Sequence, residues 1–585
     1  MSNKHRSRRH RGRGQPRGKA PYQPPPKTSA IKRNTLRIIP LGGNEEVGRN
    51  STVFEYNDTI VIVDLGLQFP EEDMPGIDYI IPNTTYLRGK ETKIKGIIIT
   101  HGHYDHIGGI PHLAHRLGNP PIYGTPLTLG IIRKRQDDFR DSPKPNLRVV
   151  QRDTMLRLGE FRVEFFGLSH NIPDSVGVVI RTPVGTVIHT GDFKLDPNER
   201  AENVTEMGKI TQYGRQQILM LMADSTNASK PGRQLTEGEI EKNVEQIIRQ
   251  AKGRLIIGTF SSLISRLSQI IKIAEGLGKK IVIEGYSMRT NLEIARELGY
   301  IRYHKDTVVP VQQMHRYPKN KLVILCTGAQ GEGRAVLMRV ANREHRFIRI
   351  EPGDTVLFSS SVVPGNERAV QRLTDGLYKE GAEVINYQMM DVHAGGHALQ
   401  EDLKDMHRLV KPRYLMPIEG NYSFLKLHEK AAIEGGFSPK NVIVAGNGQI
   451  VECTKQGCVL TKERAVTDYV FVDGLGVGDV SHIVLRDRQQ LAGDGMVVVI
   501  ATIEEKTGRL VGTPEVITRG FVYVKENFKL IKQIQEKTKK ILVDKDPKIP
   551  ANDADLRNKI RDQIGQFLFT KTERRPLILP VIVQV

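Results

Sequence analysis

Residues 99–109 read ITHGHYDHIGG, placing His101, His103, Asp105 and His106 within six positions directly after an apolar run. Imidazoles and carboxylates of this kind suit zinc and also manganese. The run KIKGIIIT reads as a buried strand ending at Thr100, and Ile107, Ile110, Leu113, Ala114 and Leu117 then recur at helical spacing. The cluster is therefore expected on a strand-to-helix loop, where side chains of consecutive residues can converge. A lone His is usually structural, but four ligand-type residues in six are hard to explain that way. GLSHNIPDS presents His170 and HTGDF presents Asp192, each at the end of a strand pattern. Asp64, in VIVDLG, ends an earlier strand and is expected to orient the loop by hydrogen bonding. Six ligands exceed the need of one zinc, so two metals bridged by a carboxylate are expected. Such pairs stabilise the attacking and leaving oxygens of a phosphoryl displacement and lower the pKa of water from about 15.7 to about 7. The chemistry indicated is hydrolysis. His112, His115 and His189 fall within helix or strand patterns and read as structural.

The chain of 585 residues is too long for one core, and two to four domains are expected. No run approaches 18 uninterrupted apolar residues and the N-terminus is the opposite of a signal peptide, so a cytoplasmic protein without a membrane span is expected. Three Cys exclude a disulfide framework and fit a reducing compartment. Cys453 and Cys458 read as a plain loop pair rather than a metal site. Of the +20 net charge, eleven Lys and Arg without an acid fall in residues 1–33, leaving +9 elsewhere. That tail lacks the apolar residues needed to offset chain entropy and is expected to be disordered. Both parts favour a polyanion, through counterion release. A tail that only aids solubility is the competing reading.

Ordered sequence is expected from about residue 35. It is strand-rich up to about residue 228. Regular alternation follows to 385, with RLIIGTF, KKIVIEG, KLVILCTG, DTVLFSS and AEVINY as strands between helical patterns. That rhythm indicates a doubly wound parallel subdomain. Residues 386–452 are expected to return to short strands and His-bearing loops, 453–469 to form a linker, and 470–585 a separate α/β unit. In the alternating stretch, backbone N–H groups of Gly328–Gly331 and the helix start after them suit an anion, a weak signal because such turns are common. Ser261 and Ser262 stand at a helix N-cap position, with Arg266 one turn on, and capping accounts for them equally well.

HxHxDH with the later His and Asp resembles the metallo-β-lactamase superfamily, an α/β fold built as an αββα sandwich. The doubly wound insert between Asp192 and the later His loops resembles the β-CASP subdivision, whose members cut nucleic acids. PLGGNEEVGRN, LGLQFPEEDMPGIDYIIP, HTGDFK, TGAQGE, FSSSVVPGNE, GLGVGDVSHIVLRDR and LAGDGMVVV are similar to bacterial ribonuclease J from Leu36 to Val585. The resemblance implies two divalent ions, zinc first and manganese or magnesium as alternatives. Their ligands would come from His101, His103, Asp105, His106, His170 and Asp192, with Asp105 and His397 as catalytic groups. It further implies a pocket for a 5′-monophosphate and the first nucleotide, from Ser261, Ser262, Arg266, Gly328, Gln330, Gly331, Glu332, His393, Gly395, Gly396 and His397. DVHAGGH resembles the family's HxSGH loop, with Gly395 where Ser is usual. YLMPIEGNY resembles PxHGEY, with Glu419 in place of a His that binds the second metal.

The activity implied is 5′→3′ exonuclease cleavage of 5′-monophosphorylated single-stranded RNA, with some endonuclease cutting, in RNA maturation and mRNA decay. A homodimer or homotetramer, and membership of an RNA degradation complex, are implied as well. The alternative is a catalytically weakened RNA-binding partner subunit, supported by Glu419 and opposed by the intact HGHYDH. A small-molecule hydrolase is opposed by the insert and the C-terminal block, and a DNA-repair nuclease by the C-terminal resemblance.

Overall fold

The computed structural model describes residues 29, 32–71, 73–196, 206–360, 362, 366–386, 389–390, 392, 395–474, 476–480, 482–505, 507, 509–522, 527–543 and 554–585. The basic tail up to residue 28 and His393 lie outside them. Two large sheets face each other. The first has eight strands in the order Cys458–Arg464, Gln449–Cys453, Leu36–Gly42, Ser51–Tyr56, Thr59–Val63, Ile94–Ile98, Ile122–Gly124 and Leu147–Val149. The second has six: Tyr414–Ile418, Ile218–Asp224, Gly185–His189, Val176–Thr182, Phe161–Gly167 and Met155–Leu158.

Side chains alternate between the two faces of a strand, and the central strands are covered on both, so those strands are apolar at most positions. Leu36 and Ile38 point into the core between the sheets, with Phe165, Val178 and Met220 from the other side. Ile39 and Leu41 point outward and pack with Ile107, Ile110 and Leu113 of the covering helices. On the second sheet Val179, Ile188 and Leu221 likewise face outward, against Leu403 and Met406 of the helix Gln400–Val410. The result is a sandwich of helix, sheet, sheet and helix.

The insert carries five parallel strands, ordered Lys280–Glu284, Leu322–Cys326, Leu255–Gly258, Thr355–Phe358 and Glu383–Ile385. Ile257 and Leu325 pack on one side with Ile264, Leu267 and Ile271, while Ile256 and Ile324 pack on the other with Leu337 and Leu373. Helices thus cover both faces. A separate three-stranded sheet, Leu510–Arg519, Met496–Ile503 and Leu577–Gln584, packs against the helices Phe528–Val543 and Ala554–Thr572. Among the described residues no helix is long and apolar enough to cross a membrane.

Four local expectations differ from the structure. The helix after the His cluster is broken into Tyr104–Ile107 and Ile110–Leu113, because Gly109 N–H donates to the carbonyl of Leu65 at 2.9 Å and the carbonyls of Asp105 and His106 accept from Asn50 and Leu65 N–H. Residues 386–452 are more helical than expected, with Gln400–Val410 and Tyr422–Glu434 around the strand Tyr414–Ile418. Residues 453–469, expected as a linker, include the edge strand Cys458–Arg464. Cys453 and Cys458, expected as a plain loop pair, face each other across the Thr454–Gly457 turn of that hairpin and form a disulfide. The turn brings residues five apart into register, which spacing alone did not reveal.

Gly66 positions the metal-type loop most directly. A Cβ there would lie 1.6 Å from the carbonyl oxygen of Asp105, and Gly66 N–H donates to the carbonyl of Asn50 at 2.9 Å. Gly66→Ala is expected to destabilise the fold by about 1–3 kcal/mol, as overpacking does, in a urea titration. Unchanged stability would show that the loop can yield.

Candidate metal centre and active site

The site is assembled from strand ends. Asp64 follows Thr59–Val63 with a left-handed φ of 61°. Its carboxylate accepts from Thr100 N–H at 2.8 Å, from Thr100 Oγ1 at 2.8 Å and from His106 Nδ1 at 2.8 Å. Because the Thr100 hydroxyl proton is directed at Asp64, His101 Nδ1 donates to Thr100 Oγ1, at 3.0 Å. His170 Nδ1 donates to the carbonyl of Gly396 at 2.7 Å. These bonds fix the tautomers of His101 and His170 and leave their Nε2 as lone-pair atoms, while Asp64 takes the Nδ1 proton of His106.

Those atoms converge. His103 Nδ1 lies 3.1 Å from His101 Nε2 and 3.0 Å from His170 Nε2. Asp192 Oδ2 lies 3.5 Å from both of the latter, and Oδ1 lies 3.4 Å from His106 Nε2. Asp105 Oδ2 stands 3.5 Å from the same His106 atom. Two donor sets result, His101, His103, His170 and Asp192 on one side, and Asp105, His106 and Asp192 on the other. Asp192 is common to both.

This arrangement fits divalent metal. A neutral His103 has one proton to place, so Nδ1 can donate across at most one of its two contacts of about 3 Å, and the ring nitrogens at the other repel unless a cation lies between them. Protonation is disfavoured: burial, with the neighbouring imidazoles, holds His101 and His170 well below the usual His range and pushes His103 down to about 4. Neutral imidazole is the ligating form. His106 is the exception. Burial opposes its charge, but Asp192, Asp105 and Asp64 outweigh burial and hold it well above the usual range. Asp192 is held low because His106, His397 and His101 outweigh burial.

Glu419 follows the strand Tyr414–Ile418 with a left-handed φ of 57°. Its carboxyl groups with Asp64 and His106 rather than with Asp105. Glu419 is buried, and its Oε2 has no hydrogen-bond partner. Burial and the nearby Asp192 drive its pKa well above the usual carboxylate range. His428 is far from substituting for it, since its ring binds Ser225 Oγ at 2.9 Å and stacks on His407.

His397 stands at the rim, its side chain 24% exposed. Nδ1 donates to Asp224 at 2.8 Å, so proton exchange with a substrate would run through Nε2. Burial opposes its charge, but Asp224 and Asp192 outweigh burial and raise it to about 9. Sequence reasoning missed Asp224, the last residue of Ile218–Asp224, in MADSTN, where nothing but its place at a strand end could have marked it. It also missed Asn50, whose side-chain amide lies 2.9 Å from His106 Nε2. Gly396 is required as glycine: a Cβ would lie 2.5 Å from the ring of His170. A Cβ at Gly395 would lie 2.5 Å from Gln234 Nε2, a movable side-chain end that donates to the carbonyl of His397.

The insert's loops follow adjacent parallel strands, where crevices form in open α/β sheets. Gly258 pairs with Cys326, so Ser261 and Ser262 and the turn Gly328–Gly331 leave the same sheet edge. Gly328 and Gly331 have φ of 111° and 75°, and Gln330 Nε2 donates to Ser360 Oγ at 3.3 Å. Glu332 is exposed. Neither serine caps the helix Ile264–Gly276, whose N-cap is Leu263. Arg266 is buried with its guanidinium engaged by Glu237, Gln269, Ser359 and the carbonyl of Val392, and is not directed at open solvent.

Residues 44–230 match the pattern of the metallo-beta-lactamase superfamily, 252–377 that of the ribonuclease J beta-CASP domain and 483–585 that of the ribonuclease J C-terminal domain. Over 95% of its length the chain is 38% identical to ribonuclease J2 of Bacillus subtilis, covering 100% of that protein. The chain belongs to the ribonuclease J family. Identity to ribonuclease J 1 of Streptococcus pyogenes is 36%, over 94% of this chain and 98% of that protein. Identity to ribonuclease J 2 of Staphylococcus aureus is 34%, over 95% and 99%. A crystal structure of a protein of unknown function from Enterococcus faecalis shares the fold, with TM-score 0.51 and 16% identity over 73% of this chain and 100% of that one. As a ribonuclease J family member the chain is a nuclease-type hydrolase.

Asp64→Asn retains shape but loses the charge that Thr100 and His106 contact. Roughly 10- to 100-fold weaker metal binding is expected, by competition with a chelator. Wild-type affinity would remove Asp64 from the support of the site.

Proposed function

We propose that the chain is a metal-dependent ribonuclease that degrades 5′-monophosphorylated single-stranded RNA 5′→3′ and also cuts internally. The convergence of lone-pair atoms of His101, His103 and His170 on Asp192 carries the reading. When bound, two divalent ions would supply positive charge at the scissile phosphate and a water nucleophile active at neutral pH. His101, His103, His170 and Asp192 would hold one ion, a nitrogen-rich set suited to zinc. Asp105, His106 and Asp192 would hold the other, with Glu419 beside them, an oxygen-rich set that also suits manganese or magnesium. His397, held by Asp224, would give its Nε2 proton to the leaving 3′ oxygen.

Ser261, Ser262, the Gly328–Gly331 turn, Glu332 and the loop carrying His393, Gly395 and Gly396 would receive the 5′ nucleotide. The +20 charge favours an RNA substrate. RNA maturation and mRNA decay in the cytoplasm, as a homodimer or homotetramer and within a degradation complex, complete the proposal. The alternative, a weakened RNA-binding subunit, draws on the unpartnered, charge-disfavouring position of Glu419.

A 5′-monophosphorylated, 3′-labelled RNA incubated with protein and Mn2+ or Zn2+ decides between them. Mononucleotide release, abolished in His103→Ala, is expected. An inert wild type that binds RNA and gains cleavage on Glu419→His would favour the weakened subunit.

A further inference from the structure

The sandwich and the insert are joined by buried charge. Lys194, two residues after Asp192, reaches Glu237 Oε1 at 2.7 Å, and Arg266 reaches Glu237 Oε2 at 2.6 Å. The three side chains are 1%, 18% and 4% exposed for Lys194, Glu237 and Arg266. Lys194 belongs to the Asp192 loop, and its N–H donates to the carbonyl of Ser169, the neighbour of His170, at 2.8 Å. Glu237 opens the helix Glu237–Gln250, and its N–H donates to Asp196 at 2.8 Å. Arg266 lies in the insert and donates to the carbonyl of Val392 at 2.9 Å, five residues before His397. Ser359 Oγ donates to the same carbonyl at 2.9 Å.

One carboxylate therefore connects the loop carrying the bridging Asp to the loop carrying the candidate acid. Burial alone would push the Glu237 carboxyl up, but Arg266 and Lys194 outweigh it and keep it ionised. Buried ion pairs are no more stabilising than apolar packing of the same volume. What they add is direction: two bonds from one carboxylate fix the separation of two backbones. Arg254 and Asp354 form a comparable buried pair, at 3.0 Å from Nε to Oδ1, wholly inside the insert. That pair touches neither loop.

We propose that Glu237 is a positioning residue, holding the Asp192 loop and the His397 loop at the separation the scissile phosphate requires. The inference rests on reading Asp192 and His397 as active-site groups. A displacement near 1 Å, even from a remote change, costs roughly 100-fold in rate.

The test compares full-length wild type, Glu237→Gln, Glu237→Asp and Asp354→Asn. RNA cleavage, thermal unfolding and the visible absorption of the Co2+-loaded protein are measured for each. Glu237→Gln is expected to lower kcat by about 10- to 100-fold, leave KM within a few-fold of wild type, and shift the Co2+ spectrum. Glu237→Asp, which keeps the charge, is expected to recover part of kcat. Asp354→Asn is expected to lower Tm without changing either readout per folded molecule. Glu237→Gln matching Asp354→Asn, with wild-type kcat and spectrum, would overturn the proposal. If Glu237→Gln does not fold, Glu237→Asp decides, and wild-type kcat in it is the overturning result. Wild type that neither cleaves RNA nor takes up Co2+ would overturn the metal-centre reading and this proposal with it.

Discussion

The carboxylate of Asp192 sits between two groups of imidazoles with one oxygen toward each. Much of the surrounding architecture serves to keep it there. A buried carboxylate is expensive unless positive charge balances it. Here the balance comes from His106 and His397, and from whatever cation the lone pairs of His101, His103 and His170 face. The same burial that makes Asp192 costly keeps those three imidazoles neutral and ready to ligate. Charge and ligation are thus two consequences of the same burial.

Secondary structure delivers these groups because strands end where side chains can converge. Asp64, His101, Asp192, Asp224 and Glu419 all stand at or just beyond strand ends, in the two sheets that face each other. Hydrogen bonds then orient the imidazoles: the Thr100 hydroxyl takes the proton of His101, the Asp64 carboxylate that of His106 and the Gly396 carbonyl that of His170. The last bond comes from a loop 226 residues away in sequence, so the cluster is not complete until the chain has passed through the insert and returned.

What could be read in the sequence follows from what is local. HGHYDH and the strand ends at Asp64 and Asp192 lie inside short stretches whose periodicity is unambiguous, and the residues stand together in the structure. The five parallel strands of the insert were equally plain, because buried parallel strands are continuous apolar runs. Contacts between distant segments left no such trace. Asp224 is one acid among 66 Asp and Glu until the fold sets it under His397. Arg266 read as a cation near a phosphate loop, and only packing turns it inward to Glu237. The helix after the His cluster failed as a prediction because its backbone bonds to Asn50 and Leu65, which periodicity does not show. The disulfide depends on hairpin register, which spacing does not encode.

Glu419 places a buried carboxyl beside His106 and Asp64, where the resemblance to PxHGEY implies a His. On the proposed function the two sides of Asp192 are separate ion sites. The most direct test is anomalous scattering from crystals of the full chain soaked in Mn2+ and in Zn2+. Two peaks roughly 3.5–4 Å apart, with Asp192 between them, are expected. A single peak within the His101, His103 and His170 set, with the other side holding only water, would contradict two separate sites.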